Sequence, residues 1–194
     1  MKYGDVMRFA CLWIIAFGVT FVTAGCMGGG KWRDDISVQA NQLGYGNWIV
    51  ITEASFPSYK QMGTRHLTVD RPIPEILDQV MRSLEKTEYV RPKIYLPIEL
   101  DVMEDDFSPG IDAYRNELKR AFHGYEVTRA EQESLRILVY DDQRSLDVLV
   151  IRSNTALPYS SVFMKLEPGY WDGASESRLR RRMQEMEMSE EKDR

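Results

Sequence analysis

The chain has 194 residues, 43% of them hydrophobic and 28% charged, enough apolar material for one domain with a real core plus extensions. Its net charge of -5 exerts no general pull on nucleic acid. Two cysteines, with His66 and His123 as the histidines, exclude a metal centre rich in cysteine and histidine.

The N-terminus reads as an export signal. Lys2 and Arg8 make a weakly basic start, residues 9–22 are apolar apart from Gly18 and Thr20, and the small residues Thr23-Ala24-Gly25 precede Cys26. That apolar run is short for a bilayer span and ends in a processing-type site. Ala-Gly-Cys after such a run resembles a bacterial lipobox, although Thr23 stands where leucine is usual. This implies removal of residues 1–25, lipidation of Cys26 and a membrane anchor in the cell envelope. Met27 after the cysteine resembles the outer-membrane sorting pattern. Without lipidation the segment is a plain secretion signal or an uncleaved anchor helix. Cys11 falls inside the signal, so the mature chain has no free thiol, which suits an oxidising compartment.

Residues 26–38 read as a tether, glycine-rich at Gly28-Gly29-Gly30, with a little helix expected near residues 36–43. No Gly-Lys-Ser/Thr follows, so a phosphate cradle is not supported. Next comes Leu43-Gly44-Tyr45-Gly46-Asn47, a glycine loop. Trp48-Ile49-Val50-Ile51-Thr52 is then apolar and β-branched, the composition of an interior strand of an α/β sheet. Glu53 ends it, followed by Ala54-Ser55-Phe56-Pro57. Open α/β sheets bind ligands beyond the carboxyl ends of their strands, which makes Glu53 a candidate ligand residue and asks whether Tyr45 shares its pocket.

Further on, His66-Leu67-Thr68-Val69 predicts a short strand. Pro72-Ile73-Pro74 opens a helix whose apolar stripe is Ile73, Ile76, Leu77, Val80, Met81 and Leu84. Residues 93–100 predict a strand interrupted by Pro97. Residues 101–107 form an acidic loop that lacks calcium-loop spacing. Ser108-Pro109 is expected to start a second helix, Ser108 as its cap, with Ile111, Tyr114, Leu118, Ala121 and Phe122 inward and Gly124 as its stop. Residues 136–140 fit either strand or helix. Residues 146–152 and 162–166 predict strands joined by a turn-rich segment. The tail, residues 172–194, is charged, with four arginines between 178 and 182 followed by glutamates; it reads as a solvated helix or as disorder.

Three segments together resemble the RbsD/FucU family of ribose pyranases and L-fucose mutarotases, nearer the fucose branch. They are residues 43–57, where the family has Gly-His-Gly-Asp and then Asp-Ala-x-Phe-Pro; Tyr114-Arg115-Asn116-Glu117-Leu118; and residues 152–161, where the family has Tyr-Ala/Gly-Asn near the end. The resemblance covers residues 39–171 and implies a single-domain, three-layer, Rossmann-like α/β fold. It implies interconversion of anomers or ring forms of a free monosaccharide, an isomerase chemistry without cofactor or metal. It also implies a homo-oligomer whose pocket is shared between subunits. Carried onto this chain, Glu53, Arg136, Tyr159 and Ser161 contact the sugar, and Tyr45 stands in place of the catalytic histidine. Tyr45 and Glu53 are then the candidate proton-transfer groups. A tyrosine with a pKa of about 10 relays protons poorly near neutrality compared with a histidine at about 6.5. The alternative is a lipid-anchored sugar-binding or assembly protein without catalysis.

Overall fold

Trp48–Thr52 is strand β1, and each of its residues is buried. It lies inside the sheet, as its unbroken apolar run predicts. Burying Ile49 or Ile51 contributes roughly 2 kcal/mol each relative to exposure. The structure is a computed structural model that describes residues 30–58 and 62–192. The chain divides into two units, Met1–Lys31 and Trp32–Arg194. Cys11, Cys26 and the expected signal lie outside the described residues. Among the described residues no helix is long and apolar enough to cross a membrane.

The elements follow as α1 (Lys31–Ala40), β1, β2 (Thr64–Thr68), α2 (Ile73–Glu85), β3 (Val90–Pro97), α3 (Glu99–Val102), α4 (Ile111–Ala121), β4 (Val127–Ala130), α5 (Gln132–Asp142), β5 (Val148–Arg152), β6 (Val162–Pro168) and α6 (Gly173–Lys192). The six strands form one sheet in the order β2-β5-β1-β6-β3-β4. β1 pairs in parallel with β5, β5 with β2, and β3 with β4. β6 runs antiparallel between β1 and β3. The carboxyl ends of the other five strands therefore point to one side, and β6 begins there.

Three layers result. Ile36, Ile76, Leu77, Val80 and Leu118 pack with the sheet residues Ile49, Ile51, Leu149, Ile151 and Met164. Leu135 and Val139 of α5 cover the opposite face, on Trp48, Val50, Val148, Val150 and Phe163. α5 takes that face because its connection returns from β4 to β5, back across the sheet, and right-handed crossovers then require the other side. The expected three-layer α/β architecture is observed.

Several sequence expectations need adjustment. Residues 136–140 are helical: Leu135 and Val139, four apart, face the sheet, while Ile137, Leu138 and Tyr140 are exposed. β4, a four-residue edge strand, was not expected. Ser108 does not cap α4. Gly110, with φ +94°, turns the chain after Pro109, and Asp105 Oδ1 accepts from the Gly110 and Asp112 amides at 3.2 and 2.9 Å. That carboxylate satisfies two of the open helix donors and complements the helix dipole. The first helix begins at Lys31, ahead of the expected residue 36. The charged tail is helical through α6.

Candidate functional site

The site is built where β1 ends. Glu53 follows the last residue of β1 and is 7% exposed. Its carboxylate accepts a hydrogen bond from the Ser161 hydroxyl, and its own amide donates to the Ser161 oxygen at 3.4 Å. Ser161 immediately precedes β6, so the antiparallel β1–β6 pairing brings together residues 108 apart in sequence. Among the described residues Glu53 forms no ion pair. A buried carboxylate without a cation carries a desolvation cost, which the hydrogen bond from Ser161 offsets in part.

Neighbouring segments brace this point. Tyr114 of α4 is buried, and its hydroxyl donates to the Ser160 carbonyl. Burial first, then the charge of Glu53 and that of Glu117, push its hydroxyl well above the usual tyrosine range. Tyr114 is therefore a hydrogen-bond strut and a poor source of protons. The Ala54 amide donates to the Thr155 carbonyl at 2.8 Å, and the Thr155 hydroxyl receives the Ile73 amide at 2.9 Å. One turn thus ties the Glu53 loop to the start of α2. Arg152 donates to the Phe56 carbonyl at 2.9 Å and to the Ser58 hydroxyl at 2.8 Å.

The expected site residues fall into two groups. Glu53 and Ser161 touch. Tyr159, two residues before Ser161, holds a left-handed backbone with φ +56°, rare for a residue with a side chain, and is 37% exposed. Arg136 lies in the first turns of α5 with its guanidinium 5.9 Å from the Phe56 ring centre and ion-paired to Glu133 at 2.6 Å. Among the described residues its Nε is buried without a partner. Arg136 thus borders the Glu53 loop through Phe56.

Tyr45 stands apart. Its loop joins the other end of β1, where the Gly46 amide donates to the Leu166 carbonyl at 2.8 Å. Gly46 has φ +87°, and a Cβ there would crowd the Leu146 side chain at 3.2 Å. The five residues of β1 alone separate Tyr45 from Glu53 by about 17 Å. Within one copy the two do not flank one pocket, and Arg136, on the Glu53 side, is not placed to tune Tyr45. Tyr45 is 70% exposed.

Tyr114, Thr155 and Arg152 are the parts that sequence reasoning left out of the site. Tyr114 is legible in the sequence as a member of a helical apolar stripe and of the second family-like segment, neither of which assigns it a contact at the site. Among the described residues no group of acidic, histidine or cysteine side chains is arranged to hold a metal ion.

No protein-family profile and no curated protein matches the chain. Among solved structures it is similar to Bacillus subtilis RbsD complexed with D-ribose, at 19% identity and TM-score 0.49, covering 69% of this chain and 91% of that one. It is similar to the fucose mutarotase in complex with L-fucose from Streptococcus pneumoniae, at 19% identity and TM-score 0.44, covering 69% and 91%. FucU from Bifidobacterium longum follows at 16% identity and TM-score 0.45, covering 69% and 92%.

Proposed function

We propose that the protein binds a free monosaccharide at the Glu53 end of the sheet. One observation carries this reading. Parts of all three segments with the mutarotase-like pattern, residues 53–57 of the first with the second and the third, meet at one place, while residues 43–47 lie at the other end of β1. Glu53 meets Ser161, Tyr114 meets Ser160, and Arg152 holds the Phe56 carbonyl. A carboxylate accepts paired hydroxyl groups of a sugar, and a few convergent polar groups fix its orientation. Fucose and ribose are the sugars to test first.

Catalysis needs more than binding. Interconverting anomers requires one group to take the proton of the anomeric hydroxyl and another to protonate the ring oxygen. Glu53 can accept a proton. Tyr114 is engaged with Ser160 and its pKa is displaced upward, so it does not serve as the acid. Tyr45 reaches a Glu53 pocket only from a second copy, in an assembly that shares pockets between subunits. The reading is thus a sugar-binding site whose isomerase activity depends on that assembly and on a tyrosine as acid. An envelope location with lipid on Cys26 belongs to the same proposal, and mass measurement of the purified N-terminus tests it.

Saturation-transfer NMR on the full chain with fucose and ribose separates the cases. Transfer to the sugar that disappears in Glu53→Gln supports the site. Exchange between anomers above the buffer rate adds catalysis. Transfer unchanged by Glu53→Gln places the sugar elsewhere and refutes the reading.

A further inference from the structure

The tail helix has no part in the site, yet its pattern is ordered. α6 is a 20-residue helix, about 30 Å long. Leu179, Met183 and Met186 recur at i, i+4 and i+7, the spacing of a coiled-coil seam, and are 41, 42 and 62% exposed. The charges are segregated along the axis. Arg178, Arg180, Arg181 and Arg182 outweigh Glu176 in the first half, and Glu185, Glu187, Glu190 and Glu191 outweigh Lys192 in the second.

We infer that α6 pairs antiparallel with α6 of a second copy of this chain. The charge blocks select both occupant and direction. A parallel pair sets four arginines against four arginines. An antiparallel pair sets each basic half against an acidic half. With Met183 of one helix layered on Met186 of the other, Arg180 faces Glu187 across the seam, and the two-fold axis repeats the contact. Arg180 already reaches Glu176 at 2.7 Å but keeps 67% of its side chain exposed, so a second carboxylate can approach. Among the described residues Glu187 forms no ion pair within one copy. At the base of the helix Trp171, Arg178, Leu179 and Arg182 line a groove of about 250 Å³. The acidic last turns of the second helix fall beside it. Three apolar residues per helix make a weak, concentration-dependent contact that salt weakens further.

The test uses the full chain with Met186 replaced by the photo-cross-linker p-benzoylphenylalanine, prepared as a mixture of light and heavy nitrogen copies. The expected product joins a light and a heavy chain, with the attachment near residues 179–183. Arg180→Glu alone, or Glu187→Arg alone, should cut the yield about fivefold, from two exposed charge contacts reversed per pair. Mixing the two variants should restore it, because each then offers the charge the other lacks. Cross-links confined to lipid, to another protein or to the same chain overturn the proposal. So does a yield that charge reversal leaves unchanged.

Discussion

Replacing Glu53 by Gln keeps the shape of the side chain and removes its charge, and the expected result runs against ordinary site mutations. Glu53 is 7% exposed and has no cation beside it among the described residues. An effective desolvation penalty of several kcal/mol attaches to such a carboxylate. The hydrogen bond from Ser161 changes from charge-assisted to neutral, a loss of about 1 kcal/mol. The balance favours the variant by roughly 2 kcal/mol, which for a chain of this length raises the melting temperature by about 4–8 °C. Differential scanning calorimetry of the full chain with and without sugar reads both sides. The variant should melt higher without sugar and lose the stabilisation that sugar confers, its affinity falling about tenfold or more. Tyr114 should titrate lower, because the Glu53 charge is one of the causes that raise it. A variant that melts lower and still binds sugar normally would show Glu53 to be a structural group and not a sugar ligand.

Three further outcomes follow from other contacts. The Tyr114 hydroxyl is displaced upward in the folded chain, so its contribution is fully present below its unfolded value near 10 and lost as pH rises beyond it. Tyr114→Phe should flatten the alkaline fall in stability measured by urea unfolding, and an unchanged slope would exclude Tyr114 as its source. Asp142 accepts from Lys165 at 2.6 Å and Trp48 at 2.8 Å; burial opposes its ionisation, yet those hydrogen bonds and the Lys165 charge outweigh it and hold the carboxyl below its usual range. That stability is present above the unfolded value near 4 and is lost as pH falls through the folded one, so Asp142→Asn should cost about 1 kcal/mol at pH 7 and narrow the gap to wild type in acid. Tyr45→His should add anomer exchange, read by magnetisation-exchange NMR, only under conditions where the chain self-associates; exchange in a dilute monomer would contradict the separation of Tyr45 from Glu53.

Much of this architecture is written locally. β1 has the unbroken β-branched run of an interior strand, and α2 carries its stripe between Pro72 and Glu85 with no competing pattern. α5 is not legible in the same way, because Ile137-Leu138-Val139-Tyr140 has strand composition, and its connection between distant strands decides that it is a helix on the far face. Glu53 was identifiable from its place after a strand. Its contact with Ser161 depends on β6 running antiparallel beside β1, a long-range fact. Tyr45 illustrates the reverse error. Eight positions from Glu53 in sequence, it sits at the other end of an extended segment, since strand geometry separates what sequence places close together. Tyr114 stands in a family-like segment, but a tyrosine in a helical apolar stripe also has the pattern of core packing, and its contact with the Ser160 carbonyl is a long-range fact.

A crystal structure of the full chain with fucose or ribose would show whether a free monosaccharide binds at Glu53. Sugar hydroxyls are expected within hydrogen-bond distance of the Glu53 carboxylate, bordered by Ser161 and Tyr159. Sugar density beside Tyr45 and away from every Glu53, or elsewhere on the surface with the Glu53–Ser161 pair undisturbed, would contradict this placement.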